Sequence, residues 1–293
     1  MKEGQTAIIL QNLMHIAIHE AKASLREGNS GFGALIVKNG EVIAKAHDTD
    51  RTDGDPTAHA EMKVIRSAAA RLGKDLTGCL LVSTHEPCPM CSTAALWAGI
   101  EEIAFGYSIK DALKQGRRRV DLTPREIFAL GGKEVQIYDF ILFDQCSLLY
   151  DKTVREHIEM LRDADEEKLK HLANNICSRR LQWFNDSYKR TGEAVHPLDE
   201  AYGLFLSRLG ITADEAPIAH REDNHIVIHS RNMCPTLEAC DILGLDTRFV
   251  CRHLTEKPTN ELIRQLNPRL RFFRNYERLR PYADYCEEII ALE

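Results

Sequence analysis

Two short stretches, His59-Ala60-Glu61 and Pro87-Cys88-Pro89-Met90-Cys91, decide how the first half of this 293-residue sequence is interpreted. Each stretch stands where a helix is expected to begin. The residues around them alternate between helix-like and strand-like patterns, with expected helices at 57–72 and 88–98 and expected strands at 79–84 and 101–106. This alternation is typical of a layered α/β domain.

The residues before these stretches predict one more helix and a β-hairpin. Apolar residues recur at helical spacing from Ile9 to Leu25, and the pattern stops near Gly28. Asn39-Gly40 then separates two apolar runs, which is the strongest short-range hairpin signal. Residues 48–56 are rich in Asp, Thr and Gly and are expected to form a loop.

The two stretches also offer a set of metal ligands. Cys88 and Cys91 are three residues apart, so at a helix start both sulfurs lie on one side and can hold one ion together with His59. Three protein ligands leave a fourth tetrahedral position open, which is typical of catalytic zinc. Such a zinc supplies hydroxide at neutral pH, and Glu61, two residues after the histidine, is placed to move the protons.

The reaction that this pattern serves is hydrolytic deamination of an amidine-like carbon, as in cytosine, adenine or guanine. Two alternatives remain open for the cysteines. The pair could be a redox motif, or the zinc could be structural, with His85 as a fourth ligand. The combination of His-x-Glu with Pro-Cys-x-x-Cys favours the catalytic zinc.

Three segments resemble the cytidine deaminase superfamily, in the branch that contains guanine deaminases and tRNA adenosine deaminases. They are Gly-Phe-Gly-Ala-Leu-Ile-Val at 31–37, Asp-Pro-Thr-Ala-His-Ala-Glu at 55–61 and Glu-Pro-Cys-Pro-Met-Cys at 86–91. The resemblance covers about residues 5–140 and implies a three-layer fold with a central mixed sheet. It also implies one zinc ion on His59, Cys88 and Cys91, Glu61 as the catalytic proton shuttle, and a homodimer or higher homo-oligomer.

Four residues are expected to contact the substrate: Phe32, Gly33, Asp48 and Ala60. The superfamily commonly has an asparagine eleven residues before the zinc histidine, where this sequence has Asp48. An ionised carboxylate only accepts hydrogen bonds, so Asp48 should prefer a substrate edge rich in N–H donors. The alternatives are a loop shift that leaves Asp48 in solvent and, for Phe32, packing in the core.

Two further features of the first half carry expectations. Gly116-Arg117-Arg118-Arg119 is its one compact basic cluster and is predicted to be a solvated surface turn, with contact to a phosphate or an acidic substrate tail as the alternative. Trp97, on the second metal-binding helix, is predicted to lie in the core.

The first domain is expected to end at residue 147. Residues 148–293 are predicted to form a long helical segment to about 188 and then a smaller α+β accessory domain of unknown role. Residues 225–290 weakly resemble the L-2-amino-thiazoline-4-carboxylate hydrolase-like domain. Cys234, Cys240, Cys251 and Cys286 are expected to be packed and buried. The alternative is a second metal site, built from these thiols with His225, His229 and His253.

Composition narrows the function. The net charge is −6 and both halves are acidic, which disfavours a large nucleic-acid footprint. There is no long apolar run and no export signal in the sequence, so we expect a cytoplasmic protein outside the membrane. The sequence therefore predicts a zinc-dependent aminohydrolase of a free aminated heterocycle such as guanine. The alternatives are a tRNA adenosine deaminase and a deaminase-derived binding or regulatory protein.

Overall fold

The computed structural model of the protein describes residues 3–188 and 196–293. The chain divides into two compact units, Met1–Arg155 and Glu156–Glu293. The helices within the described ranges are all too short or too polar to cross a membrane.

The first unit is built around a five-stranded sheet in the order β2-β1-β3-β4-β5. Strand β1 pairs antiparallel with β2 and β3, whereas β3, β4 and β5 run parallel, so the sheet is mixed as expected. In chain order the elements are α1 (Glu3–Arg26), β1 (Gly33–Lys38), β2 (Glu41–His47), α2 (Ala60–Leu72), β3 (Cys79–His85), α3 (Pro89–Trp97), β4 (Glu102–Tyr107), α4 (Ile109–Lys114), α5 (Pro124–Leu130), β5 (Gln136–Tyr138) and α6 (Phe143–Leu148).

The hairpin prediction is confirmed. Asn39 and Gly40 both have positive φ, 52° and 82°, and join β1 to β2. Such left-handed backbone matches the twist of the two strands, and asparagine and glycine adopt it most readily. The buried strand β1 lies between β2 and β3 in the mixed sheet, and its apolar residues join the core.

Two expectations in the first unit are corrected. The second helix begins at Ala60 rather than at residue 57, because the Asp55 carboxylate accepts a hydrogen bond from the Thr57 amide at 2.7 Å and closes a turn there. Trp97 is 79% exposed and is therefore not a core residue. It is the last residue of α3, where the helix leaves the buried layer.

The second unit contains a four-stranded antiparallel sheet in the order β6-β7-β9-β8. Its core lies between this sheet and helices α9 and α12. From the end of the first unit onward the elements are α7 (Lys152–Leu161), α8 (Glu166–Ser187), α9 (Pro197–Leu209), β6 (Ile218–Arg221), β7 (His225–Ser230), α10 (Pro235–Leu243), α11 (Thr247–Cys251), a π-helical turn (Arg252–Glu256), α12 (Lys257–Ile263), β8 (Leu270–Arg274) and β9 (Cys286–Leu292).

The expected helical segment at 148–188 consists of separate helices. Asp163 has a positive φ of 54°, so the backbone leaves the right-handed helical conformation just after α7. Asp165 then caps the next helix, since its carboxylate accepts a hydrogen bond from the Lys168 amide. The smaller α+β architecture expected for the second unit is confirmed.

Candidate metal centre and pocket

The candidate site lies where two helices of the first unit begin. His59 is the extended residue immediately before α2, and Cys88 is the extended residue immediately before α3. Strand β3 leads directly into this second position, and Pro89 occupies the first turn of α3, where its missing N–H costs no hydrogen bond. The two helix starts therefore bring His59, Cys88 and Cys91 together.

The spacing of the three ligand atoms fits zinc. His59 Nδ1 lies 3.7 Å from Cys88 Sγ and 3.5 Å from Cys91 Sγ, and the two sulfurs are 3.6 Å apart. Tetrahedral zinc with ordinary bond lengths requires about 3.6 Å between nitrogen and sulfur and about 3.8 Å between sulfurs. Among the described residues no fourth His, Cys, Asp or Glu completes this cluster. The three residues therefore fit one zinc ion with an open fourth position. His85, the fourth ligand expected of a structural zinc, is not part of the cluster.

The same three groups compete for protons. The hydrogen bond from Cys91 lowers the pKa of the Cys88 thiol to about 4, and the contact with Cys88 raises the pKa of His59 to about 9. The contact with Cys88 also raises the pKa of the Cys91 thiol well above its usual range. A divalent cation relieves this competition, because it binds thiolate and neutral imidazole in place of protons.

Glu61 lies beside the ligand set. Its side chain is buried, its Oε2 is 3.6 Å from Cys91 Sγ, and its Oε1 accepts a hydrogen bond from Ser83 Oγ at 3.0 Å. Burial raises the pKa of the Glu61 carboxyl. Ser83, on β3, was not singled out from the sequence. The assembly of the sheet brings Ser83 to the Glu61 carboxylate. A serine inside an apolar run gives no indication in the sequence that it will contact a catalytic residue.

A cavity of about 290 Å³ opens beside these residues. His59, Glu61 and Cys88 line its metal end. Other side chains on its wall include Phe32, His85, Arg117 and Arg119. The volume lies at the lower end of the range for small-molecule sites, about 300–1,000 Å³. Phe32 therefore lies where a substrate contact was expected.

Gly33 and Ala60 do not line this cavity. A Cβ on Gly33 would collide with the backbone oxygen of Ala17, so this glycine permits the close approach of β1 to α1. Ala60 is buried within the core. Gly33 and Ala60 therefore lie behind the cavity wall, next in sequence to the residues Phe32, His59 and Glu61 that form it.

Asp48 is also behind the wall. It is only 1% exposed, which contradicts the alternative of a loop shifted into solvent. Its carboxylate accepts hydrogen bonds from Ser24 Oγ at 2.6 Å, from the Phe32 amide at 2.7 Å and from the Ser30 amide at 2.9 Å. Asp48 thus holds the 30–32 loop that presents Phe32 to the cavity, and its contact with substrate stays a prediction.

The prediction of a solvated surface turn at 116–119 is wrong for two of its three arginines. Arg118 is exposed, but Arg117 and Arg119 are half-buried and line the cavity. The Arg117 guanidinium lies 4.9 Å from the centre of the Tyr150 ring, and that of Arg119 lies 5.3 Å from the centre of the Phe32 ring. The fold brings these aromatic rings under the turn, which the local sequence does not show.

His85 lines the cavity and carries an unprotonated ring nitrogen. Burial lowers the pKa of its ring to about 3, so the ring is neutral at pH 7. Nδ1 lies 2.9 Å from the backbone oxygen of Glu86, which assigns the single ring proton to Nδ1. Nε2 is buried without a partner among the described residues and is left as a hydrogen-bond acceptor.

Among the described residues, Cys234, Cys240, Cys251 and Cys286 form no metal cluster with His225, His229 or His253. Cys240 and Cys251 are buried as expected, whereas Cys234 and Cys286 are only half-buried. One other group has ligand atoms within 4.8 Å of one another, namely His220, Glu222 and His225 on the β6–β7 hairpin, and it lies largely in solvent.

A mixed sheet with one histidine, two cysteines and a nearby glutamate at two helix starts is the arrangement expected of zinc-dependent deaminases. The comparison with known families agrees with this arrangement. Residues 8–107 match the model of the cytidine and deoxycytidylate deaminase zinc-binding region.

Curated relatives of several functions are similar to this chain. A tRNA-specific adenosine deaminase of Aquifex aeolicus is 47% identical over 93 residues, which cover 31% of this chain and 62% of the relative. A guanine deaminase of Bacillus subtilis is 43% identical over 86 residues, covering 29% and 55%. A tRNA(Ile)-lysidine synthase of Deinococcus deserti is 42% identical over 107 residues, covering 36% and 20%. The chain spans less than two thirds of the length of these relatives.

Two solved structures are also similar to part of this chain. A guanine deaminase from Nitrosomonas europaea has 23% identity and a TM-score of 0.43, with 48% of this chain and 82% of that chain covered. A tRNA:A34 deaminase has 28% identity and a TM-score of 0.41, with 47% and 98% covered.

Proposed function

We propose that this protein is a zinc-dependent aminohydrolase that releases ammonia from a free aminated heterocycle of about the size of guanine. The observation that carries the proposal is the placement of three zinc-ligand atoms within 3.7 Å of one another and of the Glu61 carboxylate beside them, at one end of a 290 Å³ cavity. The cavity has room for a small molecule, and its metal end holds the groups that hydrolysis needs.

Each residue has a distinct task in this proposal. His59, Cys88 and Cys91 hold the zinc, which when bound makes hydroxide available at neutral pH. Glu61 takes a proton from the attacking water at Oε2, while Ser83 holds Oε1 in place. Burial raises the pKa of Glu61, which makes its carboxylate a better base and its acid form a usable donor.

Glu61 then delivers the proton first to a ring nitrogen of the substrate and next to the departing amino group. In balance, one C–O bond forms, one C–N bond breaks, and water plus the aminated ring give ammonia plus the carbonyl form of the ring. His85 Nε2, an acceptor in the same cavity, fits a substrate edge that carries an N–H donor.

The experiment is to measure ammonia release by the zinc-loaded full chain from nucleobases, nucleosides, pterins and triazines. Glu61→Gln should lower the rate by about 10²- to 10⁴-fold, the usual contribution of a general acid–base group. The matched control is Glu134→Gln, because Glu134 is exposed and lies far along the chain from His59, Cys88 and Cys91. Metal analysis should find one zinc per chain in both variants.

Two outcomes would contradict the proposal. If Glu61→Gln retained full activity, Glu61 would not be the proton shuttle. If the protein bound one zinc and released no ammonia from any compound, the result would favour a deaminase-derived binding or regulatory protein.

The second candidate function is tRNA adenosine deamination. It is favoured by the 47% identity over 93 residues to a tRNA-specific adenosine deaminase. A net charge of −6 opposes it, since RNA binding needs a basic face. An anticodon stem-loop in the substrate panel separates the two, because deamination of the stem-loop at a rate above every free heterocycle would replace our proposal.

We also propose that the protein forms a homodimer or higher homo-oligomer. Support comes from two large apolar side chains on the contacting helices α3 and α5, Trp97 at 79% exposure and Leu130 at 82%. Sedimentation velocity should show an assembly that Trp97→Ser weakens. A wild-type protein that sediments as a monomer would contradict this proposal.

A further inference from the structure

Two arginines reach into the cavity without an ion-pair partner. Arg117 and Arg119 line the cavity, and no carboxylate of the described residues lies within 4 Å of either guanidinium. Glu86, which also lines the cavity, uses its Oε2 to accept a hydrogen bond from the Ile109 amide. Asp50 and Glu61 also line the cavity, but among the described residues neither they nor Glu86 form an ion pair with the two arginines.

Each guanidinium group also has a buried N–H donor that makes no hydrogen bond within the described part of the chain. Nη1 of Arg117 and Nη2 of Arg119 are buried, with no hydrogen-bond partner among the described residues. Burial, and then repulsion by Arg155 and Arg119, lowers the pKa of Arg117 to about 10. A buried cation without a partner is unfavourable, so its presence at a cavity wall indicates a ligand that supplies the missing charge and acceptors.

Each guanidinium lies beside an aromatic ring and retains a donor without a partner. Arg117 lies near the Tyr150 ring and Arg119 near the Phe32 ring. Nη1 of Arg119 donates a hydrogen bond to the backbone oxygen of Arg118, so Nη2 is the donor that stays available for an oxyanion. Planar donors in this arrangement match the two oxygens of a carboxylate or a phosphate.

We propose that the heterocycle carries an oxyanionic substituent, a carboxylate or a phosphate, which Arg117 and Arg119 bind while the amino-bearing carbon lies at the His59 and Glu61 end of the cavity. This inference rests on the proposed aminohydrolase function and names its substrate class. The buried position of the donors favours a small molecule, because an anion must enter the cavity to reach them, whereas the phosphates of an RNA chain meet cations on an open surface.

The first test compares anionic substrates with neutral partners of the same ring. Pterin-6-carboxylate is paired with pterin, and guanosine monophosphate is paired with guanosine, so the two pairs distinguish a carboxylate from a phosphate. We expect kcat/KM to be at least about 10²-fold higher for the anionic member of one pair, given two charge-assisted contacts. Equal kcat/KM within both pairs would overturn the inference and leave the aminohydrolase proposal standing.

The second test changes the arginines. Arg117→Gln and Arg119→Gln should each reduce the anionic-to-neutral ratio of kcat/KM by about 10- to 100-fold. Arg118→Gln is the matched control, because Arg118 is exposed between them, and it should leave the ratio unchanged. Loss of activity on an anticodon stem-loop alone, with the small-molecule ratios unaffected, would assign the arginines to RNA instead and overturn the inference.

A binding measurement separates this inference from catalysis. Isothermal titration of Glu61→Gln protein with each member of the two pairs needs no turnover. Tighter binding of an anionic member, reduced by Arg119→Gln and not by Arg118→Gln, supports the anion subsite even if no ammonia is released. Binding without a preference for the anionic member contradicts it. Unfolding temperatures of all variants are measured in parallel, and values near that of the wild type show that the effects are local.

Discussion

Replacement of Asp48 tests whether this residue holds a loop or selects the substrate. Its carboxylate accepts three hydrogen bonds, from Ser24 Oγ and from the amides of Ser30 and Phe32, at 2.6–2.9 Å. Burial nevertheless raises the pKa of Asp48, so keeping the charge inside the protein is itself unfavourable. The two effects oppose each other, and their difference sets the cost of each substitution.

Asp48→Asn keeps the shape and one acceptor oxygen but turns an N–H group toward at least one of the donors. Since the unfavourable charge is also removed, we expect a net loss of about 1–2 kcal/mol. Asp48→Ala leaves three buried donors without an acceptor, and we expect a loss of about 3–5 kcal/mol. A loss of 3 kcal/mol corresponds to roughly a hundred-fold more frequent opening of the loop.

Hydrogen exchange followed by mass spectrometry measures this opening directly. Peptides that contain Ser30 and Phe32 should exchange faster in Asp48→Asn and faster still in Asp48→Ala. Asp121→Asn is the control, because Asp121 is exposed. If Asp48→Asn changed the order of preferred substrates while exchange at 30–32 stayed at the wild-type rate, the loop-holding role would be refuted and the specificity role supported.

Gly33→Ala should destabilise the first unit by about 3 kcal/mol, because the new Cβ would meet the backbone of α1 at Ala17. Gly203 lies in open space on α9, so Gly203→Ala should stabilise the second unit by about 0.5–1 kcal/mol. Urea unfolding of both variants measures the contrast. Burial lowers the pKa of His85 to about 3 from 6.5, so the stability that comes from its neutral ring is present above pH 6.5 and is lost as the pH falls toward 3. At pH 5 this loss is about 2 kcal/mol, and His85→Gln should show a correspondingly smaller drop between pH 7 and pH 5; an equal drop would contradict the assignment. Chelation of zinc should abolish ammonia release and lower the unfolding free energy by about 4 kcal/mol if the ion is present at a thousand times its Kd, and one equivalent of zinc should restore both.

Local signals in the sequence predicted much of the first unit. Backbone preferences and periodicity act over a few residues. They are the basis for the Asn39-Gly40 turn, the helix starts near His59 and Cys88, and the short strands around them. The zinc ligands were visible for a related reason, since a Cys-x-x-Cys pair at a helix start shares one ion through local geometry alone. For the second unit the sequence predicted only a helical segment followed by a smaller α+β domain, without the order of its strands.

The resemblance of residues 225–290 to the L-2-amino-thiazoline-4-carboxylate hydrolase-like domain stays a prediction. The structure shows a four-stranded sheet in this region, and its buried Arg274–Glu288 ion pair joins β8 to β9 at 2.8 Å. This ion pair has no local sequence signal, because the two residues are far apart in the chain.

The sequence alone determined the chemistry of the metal end: one imidazole, two thiols and a carboxylate at fixed short spacings. Only the tertiary structure decided what surrounds it. Ser83 reaches Glu61 because β3 lies next to β1, Asp48 turns away from the cavity because three donors converge on it, and Arg117 and Arg119 turn into the cavity because Tyr150 and Phe32 lie beneath them. Metal ligation is encoded by neighbours in sequence, whereas the shape and charge of the pocket arise from residues that meet only when the sheet and its helices assemble.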